Sequence, residues 1–435
     1  MIEEGLNKLK NREILKALNI FKELNKLQPN DGDVLFFLGT IYYELNDLKK
    51  SLFYLEQSLK KFPNSEAVIN NYAITLQSLG EIDKAKELFK SLIKLNPNNI
   101  NAYFRLFRMN LKNFEKKYLD KIKIIEKKRN LNFENKSLIN FIYSKYEKTN
   151  INNEIKYLNL AHEYQFNSRI KFNSKLVFYH TEILKKNFNN INLIEKNKKS
   201  STGDRKKPIF IIGLPRSGST LIETFLMQNK KEFYSYGEPS IFDTSIFNQI
   251  KREIIDKNDH IKISIDKEVL INSLENIYSY SNNKYFIDKS LENFFYIDII
   301  LQIYPEAKFI HTFRDKFDAA LAIYNSMLIY LPWTHSIDNI IKYISNYEKI
   351  INFFKKKYPE KILDVDLKKL TNKPNQQLKK IFDFCDINWH ENILKSYSAK
   401  NLASKTSSFL QIRDKIKKYE INKYKPYYFL IDNKL

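Results

Sequence analysis

Apolar positions along the chain follow two different patterns. Up to about residue 188 they recur every three or four residues over long runs, which predicts amphipathic helices. From residue 208 onward, short apolar runs alternate with helical stretches, which predicts a parallel sheet with helices on its faces. Between these regions, residues 189–207 are polar, basic and aperiodic, as expected of a linker.

The second region, residues 208–435, contains the candidate strands. They cover residues 209–212, 233–236, 285–287, 308–313 and 362–365. Ligands of parallel α/β sheets bind beyond the carboxyl ends of the strands. The residues directly after these strands are therefore the first candidates for a functional site.

The first region has a regular internal repeat. Pro29, Pro63 and Pro97 lie 34 residues apart, which is the length of a tetratricopeptide repeat. Small residues recur 24 and 12 positions before each proline, and large apolar residues recur eight positions before it, as closely packed helix pairs require. In chain order these residues are Gly5, Ala17 and Phe21, then Gly39, Ser51 and Leu55, then Ala73, Ala85 and Phe89. The segment resembles a tetratricopeptide array with three readable units and a fourth that begins near Ile100.

The repeat fades after about residue 113. Helical patterns at 116–128, 138–148, 153–164 and 169–188 predict degenerate repeats that complete a helical domain over residues 1–188. Stacked helix pairs form a concave face that commonly receives a peptide or another protein. Two interpretations stay open with equal weight. Either the groove binds a protein or peptide partner, or the repeats only support the second domain or form a homodimer contact.

A glycine loop follows the first predicted strand of the second region. Gly213 and Gly218 are five positions apart and a helical pattern starts at Ser219, so backbone N–H groups would converge on a phosphate at a helix N-terminus. The spacing is that of an ATP-type P-loop, but Ser219 replaces the lysine and Arg216 supplies the positive charge. The loop is expected to bind a phosphorylated nucleotide without transferring a γ-phosphate, and nothing in it requires a metal.

The sequence Pro208-Ile-Phe-Ile-Ile-Gly-Leu-Pro-Arg-Ser-Gly-Ser-Thr-Leu resembles the 5′-phosphosulfate loop of the sulfotransferase family. The resemblance implies that the donor is 3′-phosphoadenosine 5′-phosphosulfate, used without a metal. It also implies a P-loop-like three-layer α/β/α domain with a parallel sheet over residues 208–435, preceded by an all-α tetratricopeptide solenoid, an order of parts found in a bacterial group. Within the loop it assigns the 5′-phosphosulfate to Arg216, Ser217, Gly218, Ser219 and Thr220.

Two further segments resemble family segments that contain catalytic residues. Gly237-Glu238-Pro239 is similar to the family's Gly-Glu segment, whose glutamate takes the proton from the acceptor hydroxyl. Asp288-Lys289-Ser290-Leu291-Glu292-Asn293 resembles the family's Asp-Lys-x-Pro-x-Asn segment, whose lysine stabilises the leaving oxygen. The structural alternatives are a turn or capping role for Glu238 and an ordinary lysine at 289 in a lysine-rich chain.

The segment that would bind the nucleotide's 3′-phosphate matches the family pattern only in part. Arg314, after the fourth predicted strand, matches the family's arginine for this phosphate, whereas Ala322 stands where a serine is usual eight positions later. The lost hydrogen bond to a charged group is worth about 1.5–3 kcal/mol, so weakened but not abolished nucleotide binding is expected. Leu367 replaces a tyrosine that contacts adenine in the family. His311 is expected to be a structurally satisfied residue at its strand end.

A last segment resembles the family's C-terminal Thr-x-Ser-x-x-Gln-x-Arg stretch, which closes over the nucleotide. It is Thr406-Ser-Ser-Phe-Leu-Gln-Ile-Arg413, in which Ser408, Gln411 and Arg413 match. The resemblance therefore predicts that these three residues belong to a lid on the nucleotide. The second region as a whole is also similar to tyrosylprotein sulfotransferases.

Composition adds limits on location and partners. The single cysteine, Cys385, excludes an internal disulfide and fits a reducing compartment, so a cytoplasmic location is expected. The charged N-terminus does not have the pattern of a signal peptide, and no stretch has the roughly 18 uninterrupted apolar residues of a membrane span. The net charge of +23 is spread along helices and mixed with acidic residues, which favours a solvated surface over a specific nucleic-acid interface.

The leading hypothesis is a sulfotransferase acting on a hydroxyl acceptor of unknown type, with a protein or peptide tyrosine among the candidates. A nucleotide kinase or NTPase is the rival enzyme class, and the absent loop lysine argues against it. A tetratricopeptide adaptor with a catalytically weakened nucleotide-binding domain is the rival from another class. Ala322 and Leu367 are the residues that keep this rival open.

Overall fold

The structure is a computed structural model of the 435-residue chain. It describes residues 1–111, 114–128, 130–147, 150–195, 206–229, 231–251, 263–389, 403–406, 410, 413 and 416–431. The chain divides into two compact units. One comprises Met1–Leu9, Lys16–Ser174 and Asn325–Ser336, and the other comprises Lys10–Leu15, Lys175–Tyr324 and Ile337–Leu435. The domain boundaries drawn from the sequence at residues 188 and 207 stay a prediction.

The first unit is built from helices that pack on their chain neighbours, as α3 does on α4 and α9 on α10 below. Its helices are α1 (Ile2–Lys10), α2 (Ile14–Leu27), α3 (Gly32–Glu44), α4 (Leu48–Lys61), α5 (Glu66–Leu79), α6 (Ile82–Leu95), α7 (Ile100–Met109), α8 (Lys116–Lys128), α9 (Phe133–Tyr146) and α10 (Ile151–Asn167). Helix α9 begins five residues before its predicted start. Asn132 caps it by accepting a hydrogen bond from the Asn135 N–H, a start signal that the apolar pattern does not contain.

The recurring small and large residues lie where paired helices touch. A Cβ on Gly5 would come within 2.6 Å of the Phe21 ring, and a Cβ on Gly39 would come within 2.6 Å of Leu55 Cγ. Only glycine permits these approaches, so the helices of each pair pack closely. Side chains that follow the prolines cap the next helix, and these are Asp31, Ser65 and Asn99. The sequence prediction of helix pairs with a 34-residue period is confirmed over this part of the chain.

The second unit contains two parallel sheets. The strands are β1 (Asn192–Ile194), β2 (Lys207–Gly213), β3 (Phe233–Ser235), β4 (Ser264–Asp266), β5 (Tyr285–Asp288), β6 (Lys308–Phe313) and β7 (Ile362–Asp366). Strands β1 and β4 form a small sheet, and the other strands form one sheet in the order β3-β5-β2-β6-β7. All the strands expected from the sequence lie in this larger sheet. The small sheet was not predicted, and its strand β1 lies within the stretch expected to be a linker.

Helices surround the larger sheet in the second unit. They are α11 (Ile170–Phe178), which spans the boundary between the units, α12 (Leu184–Asn187), α13 (Ser219–Leu226), α14 (Ile241–Ile250), α15 (Lys267–Tyr278), α16 (Ile297–Ile303), α17 (Lys316–Tyr324), α18 (Ile337–Lys357), α19 (Leu367–Asn372) and α20 (Pro374–Phe384). A π-helical turn, Tyr179–Ile183, joins α11 to α12. Helix α20 begins at Pro374, a residue that is favoured in the first turn of a helix.

Successive side chains of β2 point to opposite faces of the larger sheet, so the core has two layers. Ile209 and Ile211 pack with residues of α13 and α20 on one face of the sheet. Phe210 points to the other face, where its ring stacks on Phe309 at 5.5 Å and contacts Phe242 of α14 at 6.0 Å. Each buried side chain of this size contributes roughly 1.5–3 kcal/mol. The result is the expected three-layer α/β/α arrangement, with β2 in the centre and all the carboxyl ends of the larger sheet at one edge.

Candidate active site

The loop after β2 is shaped by close backbone approaches. Gly213 pairs with Thr312 of β6, and a Cβ on Gly213 would lie 2.2 Å from the Thr312 carbonyl oxygen. Two residues of the loop have left-handed backbone, Arg216 at φ 67° and Gly218 at φ 96°. For a non-glycine residue such as Arg216 this conformation costs about 1–3 kcal/mol, and such strain concentrates at functional sites.

The start of α13 presents donors to this loop. The first N–H groups of a helix have no acceptor within the helix, and among the described residues no side chain caps α13. Ser217, only 1% exposed, has a buried hydroxyl without a hydrogen-bond partner in the part of the chain that the structure describes. A buried hydroxyl left unpaired at a helix N-terminus fits an anionic ligand, which would satisfy both the hydroxyl and the helix dipole.

Two arginines lie side by side at the ends of β2 and β6. Arg314 Nη1 donates to the carbonyl oxygen of Arg216 at 3.4 Å. Burial lowers the pKa of Arg216, and the nearby positive charge of Arg314 acts in the same direction. Two neighbouring guanidinium groups repel each other unless an anion lies with them, so this corner of the sheet edge is suited to a phosphate or sulfate group.

Lys289, directly after β5, forms the centre of a charged triad. Its ammonium group makes an ion pair with Glu238 and lies 3.7 Å from Glu223 Oε2. Burial of the lysine opposes its charged form, but the two carboxylates outweigh this and raise the pKa of Lys289. The lysine side chain is fully buried, whereas the Glu238 side chain is 49% exposed and open to a second molecule.

Glu223 is a site residue that the sequence reasoning missed. It lies one turn into α13, and its second oxygen, Oε1, accepts a hydrogen bond from the Ser235 hydroxyl at 2.5 Å. The available signal was the single charged residue of the helix directly after the loop. That signal identifies no partner, because Lys289 is far away in the sequence and comes close only through the pairing of the strands.

The loops that carry Glu238 and Lys289 are tied together. Lys289 donates its backbone N–H to the Gly237 carbonyl at 2.8 Å, and the Ser240 N–H donates to the Ser290 hydroxyl at 2.8 Å. Asp288 accepts from the Ser290 N–H at 2.6 Å, and burial raises the pKa of this carboxyl group. The position of the lysine relative to the glutamate is therefore fixed by backbone contacts as well as by their ion pair.

The structure also shows where the residues that depart from the family pattern lie, and where His311 lies. Ala322 is buried on α17, two turns beyond Arg314. Leu367, at the start of α19, lies against the phosphate loop, since a Cβ on Gly218 would be 2.7 Å from Leu367 Cδ1. His311 is buried, bonds Asp364 at 2.7 Å and also contacts Tyr347, so the expectation of a satisfied structural histidine is confirmed.

The predicted lid is described only in part. Ser408 and Gln411 lie outside the described residues. Arg413 is partly buried, and burial lowers its pKa to about 10. At the start of the segment, the Thr406 hydroxyl lies 3.3 Å from the hydroxyl of Thr220 in the phosphate loop. The first residue of the stretch thus reaches the loop, and the roles of Ser408, Gln411 and Arg413 stay predictions.

Comparison with known families supports both parts of the sequence interpretation. Residues 208–391 match the model described as "Sulfotransferase family", and residues 47–108 match the model described as "Tetratricopeptide repeat". The resemblances to the sulfotransferase family and to a tetratricopeptide array are therefore confirmed, whereas the roles of the individual site residues stay predictions. The chain has a tetratricopeptide-like helical region followed by a parallel-strand α/β sulfotransferase domain.

Individual proteins give more distant similarities. An uncharacterised protein of Aquifex aeolicus is 23% identical over 98% of this chain, which spans about half (55%) of the length of that relative. A TPR repeat-containing protein of Methanocaldococcus jannaschii is 31% identical over 24% of this chain, which covers 18% of its length. Among solved structures, the sulfotransferase domain from the Synechococcus PCC 7002 olefin synthase aligns with a TM-score of 0.35 and 18% identity, over 52% of this chain and 91% of its own.

A helix that crosses a membrane needs about 20 consecutive, predominantly apolar residues. Within the part of the chain that the structure describes, no helix combines the length and the apolar character that such a crossing would require.

Proposed function

We propose that this chain transfers a sulfuryl group from 3′-phosphoadenosine 5′-phosphosulfate to a hydroxyl acceptor. The observation that carries the proposal is the meeting of Lys289, Glu238 and the Arg216 loop at one edge of the sheet, in a domain that matches the sulfotransferase family. The reaction would be direct and in line, with no metal and no covalent enzyme intermediate.

The sulfated nucleotide would be bound by the hydrogen-bond donors of the phosphate loop and by Arg314. The 5′-phosphosulfate would lie at the N-terminus of α13, held by Arg216 and by the loop from Ser217 to Thr220. The unpaired Ser217 hydroxyl supports this position, because an oxyanion there would supply the partner that the described residues do not. Arg314 would bind the 3′-phosphate, and Ser408, Gln411 and Arg413 would close over the nucleotide.

The chemistry would divide between Glu238 and Lys289. The acceptor oxygen forms a bond to sulfur while the bond from sulfur to the phosphate oxygen breaks. The electron pair stays on that phosphate oxygen, beside the ammonium of Lys289. The proton of the acceptor hydroxyl passes to Glu238, whose half-exposed carboxylate an acceptor can reach. Glu223 supports this division, because it would keep Lys289 charged when Glu238 turns toward the acceptor.

The acceptor class is the open part of the proposal. A hydroxyl on a protein or peptide, tyrosine included, is compatible with the residues named, and so is a hydroxyl on a sugar or a small phenol. The tetratricopeptide region gives the chain a capacity for protein interaction, and we propose that its groove receives a protein or peptide partner. We also keep the cytoplasmic location as a proposal.

A transfer assay tests the proposal. The protein is incubated with donor carrying a labelled sulfuryl group and with a cell extract, and the molecule that gains label identifies the acceptor. Glu238→Gln should lower turnover by roughly 10²–10⁴-fold because it removes the proton acceptor. Glu232→Gln, at an exposed position of the same chain region, is the matched control and should turn over normally.

The second candidate, a tetratricopeptide adaptor with a weakened nucleotide-binding domain, is favoured by Ala322 and Leu367. Binding of adenosine 3′,5′-bisphosphate without label transfer to any hydroxyl acceptor would support the adaptor and contradict the enzyme. Hydrolysis of ATP in the presence of Mg²⁺ would instead support the NTPase class.

A further inference from the structure

A segment of the second unit beyond the predicted lid lies against Arg314. We call residues 416–431 the tyrosine segment. The guanidinium carbon of Arg314 lies 5.0 Å from the ring centre of Tyr419 and 5.6 Å from that of Tyr424. Both distances are within the range of a cation–π interaction. Two aromatic rings of one segment therefore contact the guanidinium that we assign to the nucleotide's 3′-phosphate.

Hydrogen bonds anchor the tyrosine segment at the same place. The Tyr419 hydroxyl accepts from Arg314 Nη2 at 2.9 Å and donates to Asp318, which also accepts from Arg314 Nη2 at 3.1 Å. The Tyr428 hydroxyl donates to the other oxygen of Asp318 at 3.3 Å. The Asp318 side chain is only 5% exposed, so these bonds are shielded from water and hold the segment against the start of α17.

The remaining donors of Arg314 show where a ligand would lie. Both hydrogens of Nη2 are used by Asp318 and Tyr419, while Nε is buried without a partner among the described residues. The Arg314 side chain is 9% exposed. The bonds made by Nη2 fix the orientation of the guanidinium group, and Nε is left to donate to a ligand. A phosphate oxygen would accept this hydrogen bond.

Tyr424 links this arginine to the phosphate loop. Besides its contact with Arg314, it interacts electrostatically with the guanidinium of Arg216. The Tyr419 hydroxyl stays protonated at neutral pH, since burial and the bond to Asp318 raise its pKa to about 12. It therefore keeps the hydrogen that it donates to Asp318 and continues to hold Arg314 in place.

We propose that Tyr419 and Tyr424 form a wall of the nucleotide site and position Arg314 for the nucleotide's 3′-phosphate. The inference rests on the proposed function, because it takes Arg314 as the 3′-phosphate ligand. It goes beyond that function by assigning donor recognition to a segment that carries no motif. Tyr419 and Tyr424 are positioning residues, and Arg314 is the residue that touches the ligand.

Binding of two nucleotides tests this inference. Adenosine 3′,5′-bisphosphate and adenosine 5′-monophosphate differ only in the 3′-phosphate, so the ratio of their dissociation constants isolates the contribution of Arg314. Tyr424→Ala and Tyr419→Ala should each weaken bisphosphate binding by roughly tenfold, in line with the loss of a desolvated cation–π contact. Binding of the monophosphate should change by less than about threefold.

Conservative variants separate positioning from general damage. Tyr424→Phe keeps the ring and should restore bisphosphate binding, whereas Tyr419→Phe keeps the stack but loses the bond to Arg314 and should lie between Tyr419→Ala and the unaltered protein. Phe429→Ala, at a 55% exposed aromatic of the same segment, is the matched control and should bind both nucleotides normally. Thermal midpoints of all variants check that the domain is folded.

The possible results are distinguishable. Equal weakening for both nucleotides, or no weakening by either alanine variant, overturns the inference. If the unaltered protein binds the bisphosphate and Arg216→Ala abolishes that binding while Tyr424→Ala changes nothing, the inference alone is wrong and the proposed function stands. If the folded, unaltered protein binds neither nucleotide, the inference and the proposed function are both wrong.

Discussion

Buried hydroxyl groups between the paired helices of the first unit are hydrogen-bonded, whereas two buried donors at the sheet edge of the second unit have no partner among the described residues. Between the paired helices, the Ser51 and Thr75 hydroxyls bond each other at 3.2 Å, and Ser58 donates to the Gly32 carbonyl at 2.9 Å. At the sheet edge, the Ser217 hydroxyl and Arg314 Nε are buried without partners among the described residues. Leaving such groups unpaired costs roughly 1–3 kcal/mol each. The comparison indicates that the bonded hydroxyls between the helices serve packing, whereas Ser217 and Arg314, which lie together with the phosphate loop, are arranged for a ligand.

The largest expected effect tests the sheet edge. Lys289→Met removes the buried charge beside the leaving oxygen, and we expect turnover to fall by roughly 10²–10³-fold, as when a preorganised group that stabilises transition-state charge is lost. Transfer from labelled donor at saturating concentration is the measurement. Lys284→Met, at an exposed lysine just before β5, is the matched control and should turn over normally. Unchanged turnover in Lys289→Met would mean that the charged triad serves packing alone, as the serines between the repeats do.

A substitution between the helices of a repeat should lower stability and leave turnover unchanged. An alanine Cβ at Gly39 would lie 2.6 Å from Leu55 Cγ and 3.1 Å from the Leu55 backbone nitrogen, so side-chain movement alone cannot relieve the clash. Overpacking of this kind costs about 1–3 kcal/mol, against roughly 1 kcal/mol that alanine gains in helix propensity. We expect a net loss of about 1 kcal/mol in the free energy of unfolding, measured by urea denaturation, with turnover unchanged below the unfolding transition.

The double variant sharpens this prediction. Leu55→Ala opens the space that the new methyl group needs, so the Gly39→Ala and Leu55→Ala effects should be less than additive in a double-mutant cycle. Strict additivity would show that the two positions do not share a contact. It would then remove the reason for interpreting the small and large residues of each 34-residue unit as one helix interface.

The same contrast explains what the sequence could predict. In the repeats, each contact recurs at a fixed spacing, so Gly5 with Phe21 and Gly39 with Leu55 could be inferred from the chain. The strands of the larger sheet were also predictable, because each is a distinct apolar run. The β1–β4 sheet was not, since Asn192–Ile194 is short and lies in a polar stretch.

Site residues were predictable only where a motif marked them. Arg216, Glu238, Lys289 and Arg314 follow strands that share one edge, and the parallel order brings those strand ends together. Glu223 and Tyr419 belong to no such motif. They enter the site through charge and hydrogen-bond partners that lie about 66 and 105 residues away in the chain, separations that no local pattern encodes.

The smallest expected effect comes from restoring a hydrogen bond to the nucleotide's 3′-phosphate at the sheet edge. Ala322→Ser places a hydroxyl two turns beyond Arg314, where the family has a serine for the 3′-phosphate, and a hydrogen bond to a charged group is worth about 1.5–3 kcal/mol. We expect adenosine 3′,5′-bisphosphate to bind about tenfold or more tightly, with adenosine 5′-monophosphate unchanged, by calorimetric titration. Stability should hardly change, since a buried helical serine can donate to the carbonyl four residues earlier. Equal affinity of the unaltered protein and the Ala322→Ser variant for the bisphosphate would show that a hydroxyl at position 322 of α17 does not reach the 3′-phosphate.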